Sequence, residues 1–396
     1  MQNASIIKLG VGGAVALALS LGVISPASAD VQPQSTDAVA VGSDTVQYVA
    51  DFVADGSPTG LNGFNTTNAR RIFSFDATGD ASGRAAYQNG TATALPASVV
   101  LRAGQKPVTR PNGSGAGISA LLTDTAHQID FVRSSRLPKA SEQSTANGLF
   151  GGIHVYKIAT DGLQVAVNAS APATQDWNGP AGLSAAELVN IYNGTYKRWS
   201  DITAVNPSFV SPAPSDAIVP ILPQVGSGTR NDFLADLKIA NGGVDVPLAS
   251  TVRTSEEHDP TAVSAMANGT MTFADSTTAP YTKKDALAPF STGRDKLIDT
   301  SYFGSTPAPN TVYLLNGAAP DGAAATSYNL ARTLYLLARQ TDVTSTTPFL
   351  AGGSLNLVNT LFGTATSQFG KVQSSSLFTA AGVTRSWADL NFASAG

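Results

Sequence analysis

Three times along this chain an apolar run stops at a turn of small and hydroxylated residues, and a helical pattern follows at once. The clearest case is the third. Pro220-Ile221-Leu222-Pro223 leads into Gly226-Ser227-Gly228-Thr229, after which Phe233, Leu234, Leu237 and Ile239 supply the apolar positions of a helix. Nearer the start, Asp37-Ala38-Val39-Ala40-Val41 runs into Gly42-Ser43-Asp44-Thr45, and Val46, Val49, Phe52 and Val53 then share one helical face. Between the two, Arg110-Pro111-Asn112 opens Gly113-Ser114-Gly115-Ala116-Gly117, followed by Ile118, Leu121 and Leu122. Strands that alternate with helices in this way imply an α/β architecture.

The turn has a chemistry of its own. The first backbone N–H groups of a helix have no intrahelical partner, and the helix dipole places partial positive charge at the same end. Glycine lets a ligand approach the backbone, while Ser227 and Thr229 add hydroxyl donors. Such a turn is an anion pocket in waiting. Taken singly, each also reads as an ordinary capped helix start, with Ser43 or Asp44 as the N-cap of the first. If three such helix starts meet on one ligand, each contributes about 0.3–1 kcal/mol toward an anion.

Ile129-Asp130-Phe131-Val132-Arg133-Ser134-Ser135-Arg136 reads as a strand that ends in two serines flanked by arginines. Guanidinium can fork onto two oxygens, so this pairing suits an oxyanion; arginines that are solvated or bound to carboxylates are the alternative. Further on, His154-Val155-Tyr156-Lys157-Ile158 and 162–168 read as two strands, and 183–192 as a helix with Ser184 as N-cap and Gly194 as its stop. Residues 286–291 and 311–315 are strand-like, 330–339 fits strand or helix, and helices are expected over 260–267 and 353–361. Ser255-Glu256-Glu257-His258-Asp259 is a compact polar cluster, expected in a loop as a solvated or capping group.

At the N-terminus, Lys8 precedes an uncharged run over 9–24 and then Ser25-Pro26-Ala27-Ser28-Ala29. This is the pattern of a secretory signal peptide cut near Ala29, and its apolar part is shorter than the roughly 20 residues of a spanning helix. A secreted product, extracellular or periplasmic, is expected. There are no cysteines, so neither disulfides nor a thiol for a lipid anchor exist. The three histidines show no metal-ligand spacing, and neither a metal nor a cofactor is expected. A net charge of −4 without a basic run argues against a nucleic-acid partner.

In combination, four stretches resemble the phosphate-binding proteins that feed bacterial ABC transporters. They are Gly42-Ser43-Asp44-Thr45, Gly113-Ser114-Gly115-Ala116-Gly117, Asp130-Phe131-Val132-Arg133-Ser134-Ser135 and Gly226-Ser227-Gly228-Thr229. Ile191-Tyr192-Asn193-Gly194-Thr195-Tyr196-Lys197-Arg198-Trp199-Ser200-Asp201 adds a fifth marker, and the likeness covers 37–294 and, more weakly, the remainder. It implies an α/β type II periplasmic-binding-protein fold with two lobes, 30–165 plus 288–396 and 166–287, behind a leader at 1–29. Two crossovers, near 165–168 and 286–291, would join the lobes, with an anion in the cleft between them. It further implies a monomer that performs no covalent chemistry, binds inorganic phosphate or a similar oxyanion, and delivers it to an ABC permease. Carried across position by position, the ligand groups are Ser43, Asp44, Thr45, Ser114, Ser227, Gly228 and Thr229.

Two positions depart from that pattern. Ser135 stands where the family places an aspartate that accepts the proton of hydrogen phosphate, and Pro223 where it places an arginine. Asp44 is then the candidate acceptor, and Arg133, Arg136 or Arg230 the candidate cation, with Ser135 kept in the ligand set. Two other readings compete. One is a secreted phosphoesterase or serine hydrolase with Ser227 or Ser114 as nucleophile and His258 as base. Against it, Val225 and Asn112 stand where a G-x-S-x-G elbow needs its first glycine. The other is a surface protein that kept the fold without transport.

Overall fold

The computed structural model describes residues 32–77, 98–167, 183–207, 213–259, 261–299, 311–312 and 330–395. The expected leader lies outside the described residues, and Gln32–Gly396 form one compact unit. The unit is built on a single large sheet. Strands β1 (Ala38–Gly42), β2 (Ile72–Ser74), β3 (Phe131–Ser134), β4 (Ile153–Val167), β5 (Val219–Pro223), β6 (Arg253–Ser255), β7 (Ala286–Ser291) and β8 (Leu330–Arg339) stand in the order β2-β1-β3-β8-β4-β7-β5-β6. A further strand, β9 (Thr384–Asp389), and the short Thr311–Val312 also pair with β4.

Pairing is parallel toward both ends of the sheet and antiparallel in its middle. The parallel ends are where strand, turn and helix recur. Every residue of β1, β5 and β7 is buried, as expected of strands covered on both faces. The helices that follow are α1 (Asp44–Asp55), α2 (Ser114–Thr123), α3 (Ala140–Phe150), α4 (Ala185–Tyr192), α5 (Trp199–Val205), α6 (Gly228–Ala240) and α7 (Thr292–Asp299). Val46, Val49, Phe52 and Val53 of α1 pack with Ile158, Leu334, Leu336, Phe362 and Phe378. A separate cluster joins Leu188, Ile191 and Tyr192 of α4 to Trp199, Leu222, Phe233 and Leu237.

The structure alters several element boundaries. Residues 153–167 form one strand, not two separated by 159–161. A charge pair crosses the sheet at the expected break. Asp161 and Arg332 are register partners between β4 and β8, and Arg332 Nε and Nη2 donate to Asp161 Oδ2 at 3.0 and 2.9 Å. An Asp-Gly pair that signals a turn in isolation is thereby held in extended backbone. The ambiguous stretch 330–339 is a strand throughout. The helix expected over 183–192 begins at Ala185, with Ser184 Oγ accepting from Glu187 N and Glu187 accepting from Ser184 N. The later helices are shorter than expected, Thr261–Ser264 and Leu357–Leu361, and of 311–315 only Thr311–Val312 lies within the described residues. The stretches expected to carry the crossovers are sheet neighbours, with Leu287 opposite Val167 and Ser291 opposite Leu163.

Candidate functional site

The starts of α1, α2 and α6 come together at one place. Gly115 N donates to Gly226 O at 3.1 Å, so the second and third turns touch directly. Ser114 Oγ accepts from Ser135 N at 3.0 Å and lies 3.2 Å from Ser135 Oγ. Thr45 Oγ1 and Thr229 Oγ1 stand 3.2 Å apart. Only glycine fits at position 228, because a Cβ there would collide with the hydroxyls of Ser135 and Ser114. Thr45, Ser114, Ser135, Ser227, Gly228 and Thr229 are thus brought together, and all six are buried.

Two of the expected caps behave differently. Ser227 Oγ accepts from Arg230 N at 3.1 Å and caps α6. Ser43 occupies the N-cap position of α1 without a side-chain cap bond. Asp44 does not cap either. Its Oδ2 accepts from Arg294 Nη2 at 2.5 Å and lies 3.2 Å from His258 Nδ1.

The largest departure concerns the polar cluster at 255–259, which is inside the protein and not solvated. Glu256, Glu257, His258 and Asp259 are at most 4% exposed. Strand β6 runs parallel to β5, so the residues after it emerge beside the turn that opens α6. Glu257 N donates to Gln224 Oε1 at 2.7 Å, and Asn112 Nδ2 to Glu256 Oε1 at 2.9 Å, which fastens the cluster to two of the turns. The hydroxyls of Thr45 and Thr229 both donate to Glu257 Oε1, at 2.8 and 2.5 Å. His258 bridges Asp44 and Thr229, with Nε2 3.2 Å from Thr229 Oγ1. Burial lowers the His258 pKa and favours the neutral imidazole, although Asp44 and Glu257 oppose the shift.

The three candidate cations are engaged elsewhere. Arg133 donates to the carbonyls of Ser43, Gly42 and Phe75 and to Ser74 Oγ, and so braces the sheet edge under α1. Arg136 forks onto Glu142 at 2.9 and 2.8 Å. Arg230 donates to Pro223 O at 2.8 Å. The cation that reaches the paired threonines is Arg332, whose Nη1 donates to Thr229 Oγ1 at 2.5 Å and Nη2 to Thr45 Oγ1 at 3.3 Å. Neither Arg332 nor Arg294 was singled out from the sequence. The available signal was a charged residue at an inward position of the apolar run 330–339.

Asp44, His258 and Thr229 form a line of acid, imidazole and hydroxyl, but the hydroxyl belongs to neither serine considered as a nucleophile. Its proton is directed to Glu257 and its oxygen accepts from Arg332, so it is constrained on both sides. The arrangement therefore gathers the hydroxyls of Thr45, Ser114, Ser135 and Thr229 beside the carboxylate of Glu257 and the guanidinium of Arg332.

A family profile described as a PBP superfamily domain matches residues 32–351. The phosphate-binding protein PstS of Staphylococcus epidermidis is 31% identical over 121 residues, which covers 31% of this chain and 32% of that protein. The match thus spans about a third of the curated relative's length. Among solved structures, a protein of Clostridium perfringens described as a phosphate ABC transporter substrate-binding protein, with bound phosphate, superimposes with a TM-score of 0.52. It is 13% identical, and the match covers 88% of this chain and 99% of that one. An ABC-type phosphate transport receptor from Vibrio cholerae gives a TM-score of 0.48 at 16% identity, covering 88% of this chain and 100% of that one. At 13% identity the likeness to the Clostridium perfringens protein is one of fold.

Proposed function

The chain belongs to the PBP superfamily, with the fold of the type II periplasmic binding proteins, and from that premise we propose that it captures phosphate or a related oxyanion where the three turns meet. The observation that carries this reading is the approach of Thr45 to Thr229, from stretches 184 positions apart, beside the pair Ser114 and Ser135. Helix N-terminal amides and these hydroxyls are the donors, Gly228 leaves room for the Ser135 and Ser114 hydroxyls, and Arg332 supplies the positive charge that Pro223 cannot. The stretches 30–165 plus 288–396 and 166–287 act as two lobes that close on the ligand, a hinge motion stabilised by contacts from both sides. The protein is exported, works as a monomer and hands the anion to an ABC permease without covalent chemistry.

Thermal denaturation with phosphate, arsenate and sulfate tests the reading. A ligand at a hundredfold excess over its dissociation constant stabilises by about 2.7 kcal/mol through mass action. A raised midpoint with at least one of these anions is the expected result; no shift with any of them overturns the proposal. Incubation with a chromogenic phosphoester separates binding from hydrolysis, since sustained turnover would favour the hydrolase.

A further inference from the structure

Beside the meeting point of the turns lies a cavity of about 690 Å³. It shares Ser135 and Arg332 with the anion site, and its other walls include Arg136, Asp232, Asp236 and Tyr335. It is not simply a crevice left open between separated halves, because the second and third turns are already in contact through Gly115 N and Gly226 O. Cavities of about 300–1,000 Å³ hold organic ligands, and a single tetrahedral oxyanion leaves most of such a volume empty.

The polar groups in the walls indicate what would fill it. Asp232 Oδ2 and Asp236 Oδ2 are inaccessible to solvent and have no hydrogen-bond partner, although Asp232 Oδ2 lies 3.8 Å from Arg332 Nη1. Burial pushes both carboxyls up to about 7, so each can accept or donate a hydrogen bond near neutral pH. A buried polar atom without a partner is costly, and a ligand hydroxyl offers the donor or acceptor that is missing. The Tyr335 ring and Leu163 present apolar surface on the same cavity.

We propose that the ligand is a polyhydroxylated phosphomonoester of the sugar-phosphate class. Its phosphate lies on the turn amides and hydroxyls, and its hydroxyls face Asp232 and Asp236 in the cavity. This rests on the oxyanion reading of the turns and names the substrate class for that site.

The test is isothermal titration of the full chain with inorganic phosphate, glucose 6-phosphate and glucose, with Ala235→Trp and Asp236→Ala as variants. Ala235 is exposed on α6 at the cavity wall, so a tryptophan there fills the cavity without disturbing the core. The expected result is at least tenfold tighter binding of the sugar phosphate than of phosphate. Ala235→Trp removes that advantage and Asp236→Ala reduces it, while both leave the dissociation constant for phosphate within about twofold. Phosphate binding with no advantage for the ester, or an advantage that survives Ala235→Trp, overturns the cavity proposal and leaves the oxyanion reading standing. If neither phosphate nor the ester binds, the oxyanion reading falls as well.

Discussion

The hydroxyls of Thr45 and Thr229 lie 3.2 Å apart, although 184 positions separate them in the chain. Each threonine opens a helix, and each has one proton to donate. In the structure both protons go to a single oxygen of Glu257, and Arg332 donates to both hydroxyl oxygens.

Thr229→Val keeps the branched shape and removes the hydroxyl. A hydrogen bond to a charged group contributes about 1.5–3 kcal/mol, so phosphate affinity should fall about 10- to 100-fold. Calorimetric titration reads this directly. Unchanged affinity would remove Thr229 from the site.

Glu257 Oε1 occupies a position where an incoming oxyanion's oxygen would accept from the same two hydroxyls. Two like charges near 4 Å repel by about 4 kcal/mol at an effective dielectric of 20. Glu257→Gln removes the charge and keeps the shape, so phosphate and sulfate should both bind at least tenfold more tightly. Weaker binding in this variant would mean that the carboxylate serves the bound anion and does not compete with it.

Asp161 has no exposed side-chain surface and receives two hydrogen bonds from Arg332 and one from Gly293 N. Asp161→Leu removes the closest carboxylate from the buried Arg332 guanidinium, which costs about 3–5 kcal/mol of stability. The double variant Asp161→Leu with Arg332→Met should recover most of that loss. Urea unfolding midpoints compare the two, and equal losses would show that the pair is not the source of the effect.

Asp232 and Asp236 titrate near 7 in the folded protein because burial penalises their charged forms, against 3.8 when unfolded. Their folded pKa values are raised, so their contribution to stability is fully present below about 4 and is lost as pH rises through about 7. His258 acts in the opposite sense, since its folded pKa is lowered and its contribution is lost on acidification. Thermal midpoints of the native chain and of Asp232→Asn/Asp236→Asn at pH 5 and pH 8 isolate the carboxylates, because His258 is common to both. The double variant should lose less midpoint than the native chain between pH 5 and pH 8. An identical change in the two proteins would refute the assignment.

Much of the site's donor set is legible in the sequence. Gly42-Ser43-Asp44-Thr45, Gly113-Ser114-Gly115 and Gly226-Ser227-Gly228-Thr229 each signal a strand ending in a helix start, and each turn is formed by near neighbours whose backbone preferences are local. Ser135 could be placed beside them by its position after β3. The cluster at 255–259 looks solvated in the sequence because its burial depends on what β6 lies against. Arg133 and Arg136 were reasonable cations in sequence terms, yet their guanidiniums meet backbone carbonyls in one case and Glu142 in the other.

The residues alone determined the alternation of strand and helix, the three anion-suited turns and the donors they carry, since those follow from propensity, capping and the chemistry of the first helical turn. Tertiary structure decided the charges that face those donors. Arg332 reaches Thr45 and Thr229 only because β8 aligns with β4 so that Asp161 lies opposite it, and Glu257 arrives only because β6 runs beside β5. The first contact depends on register between residues 171 positions apart and the second on which strand β6 joins, and no local pattern encodes either.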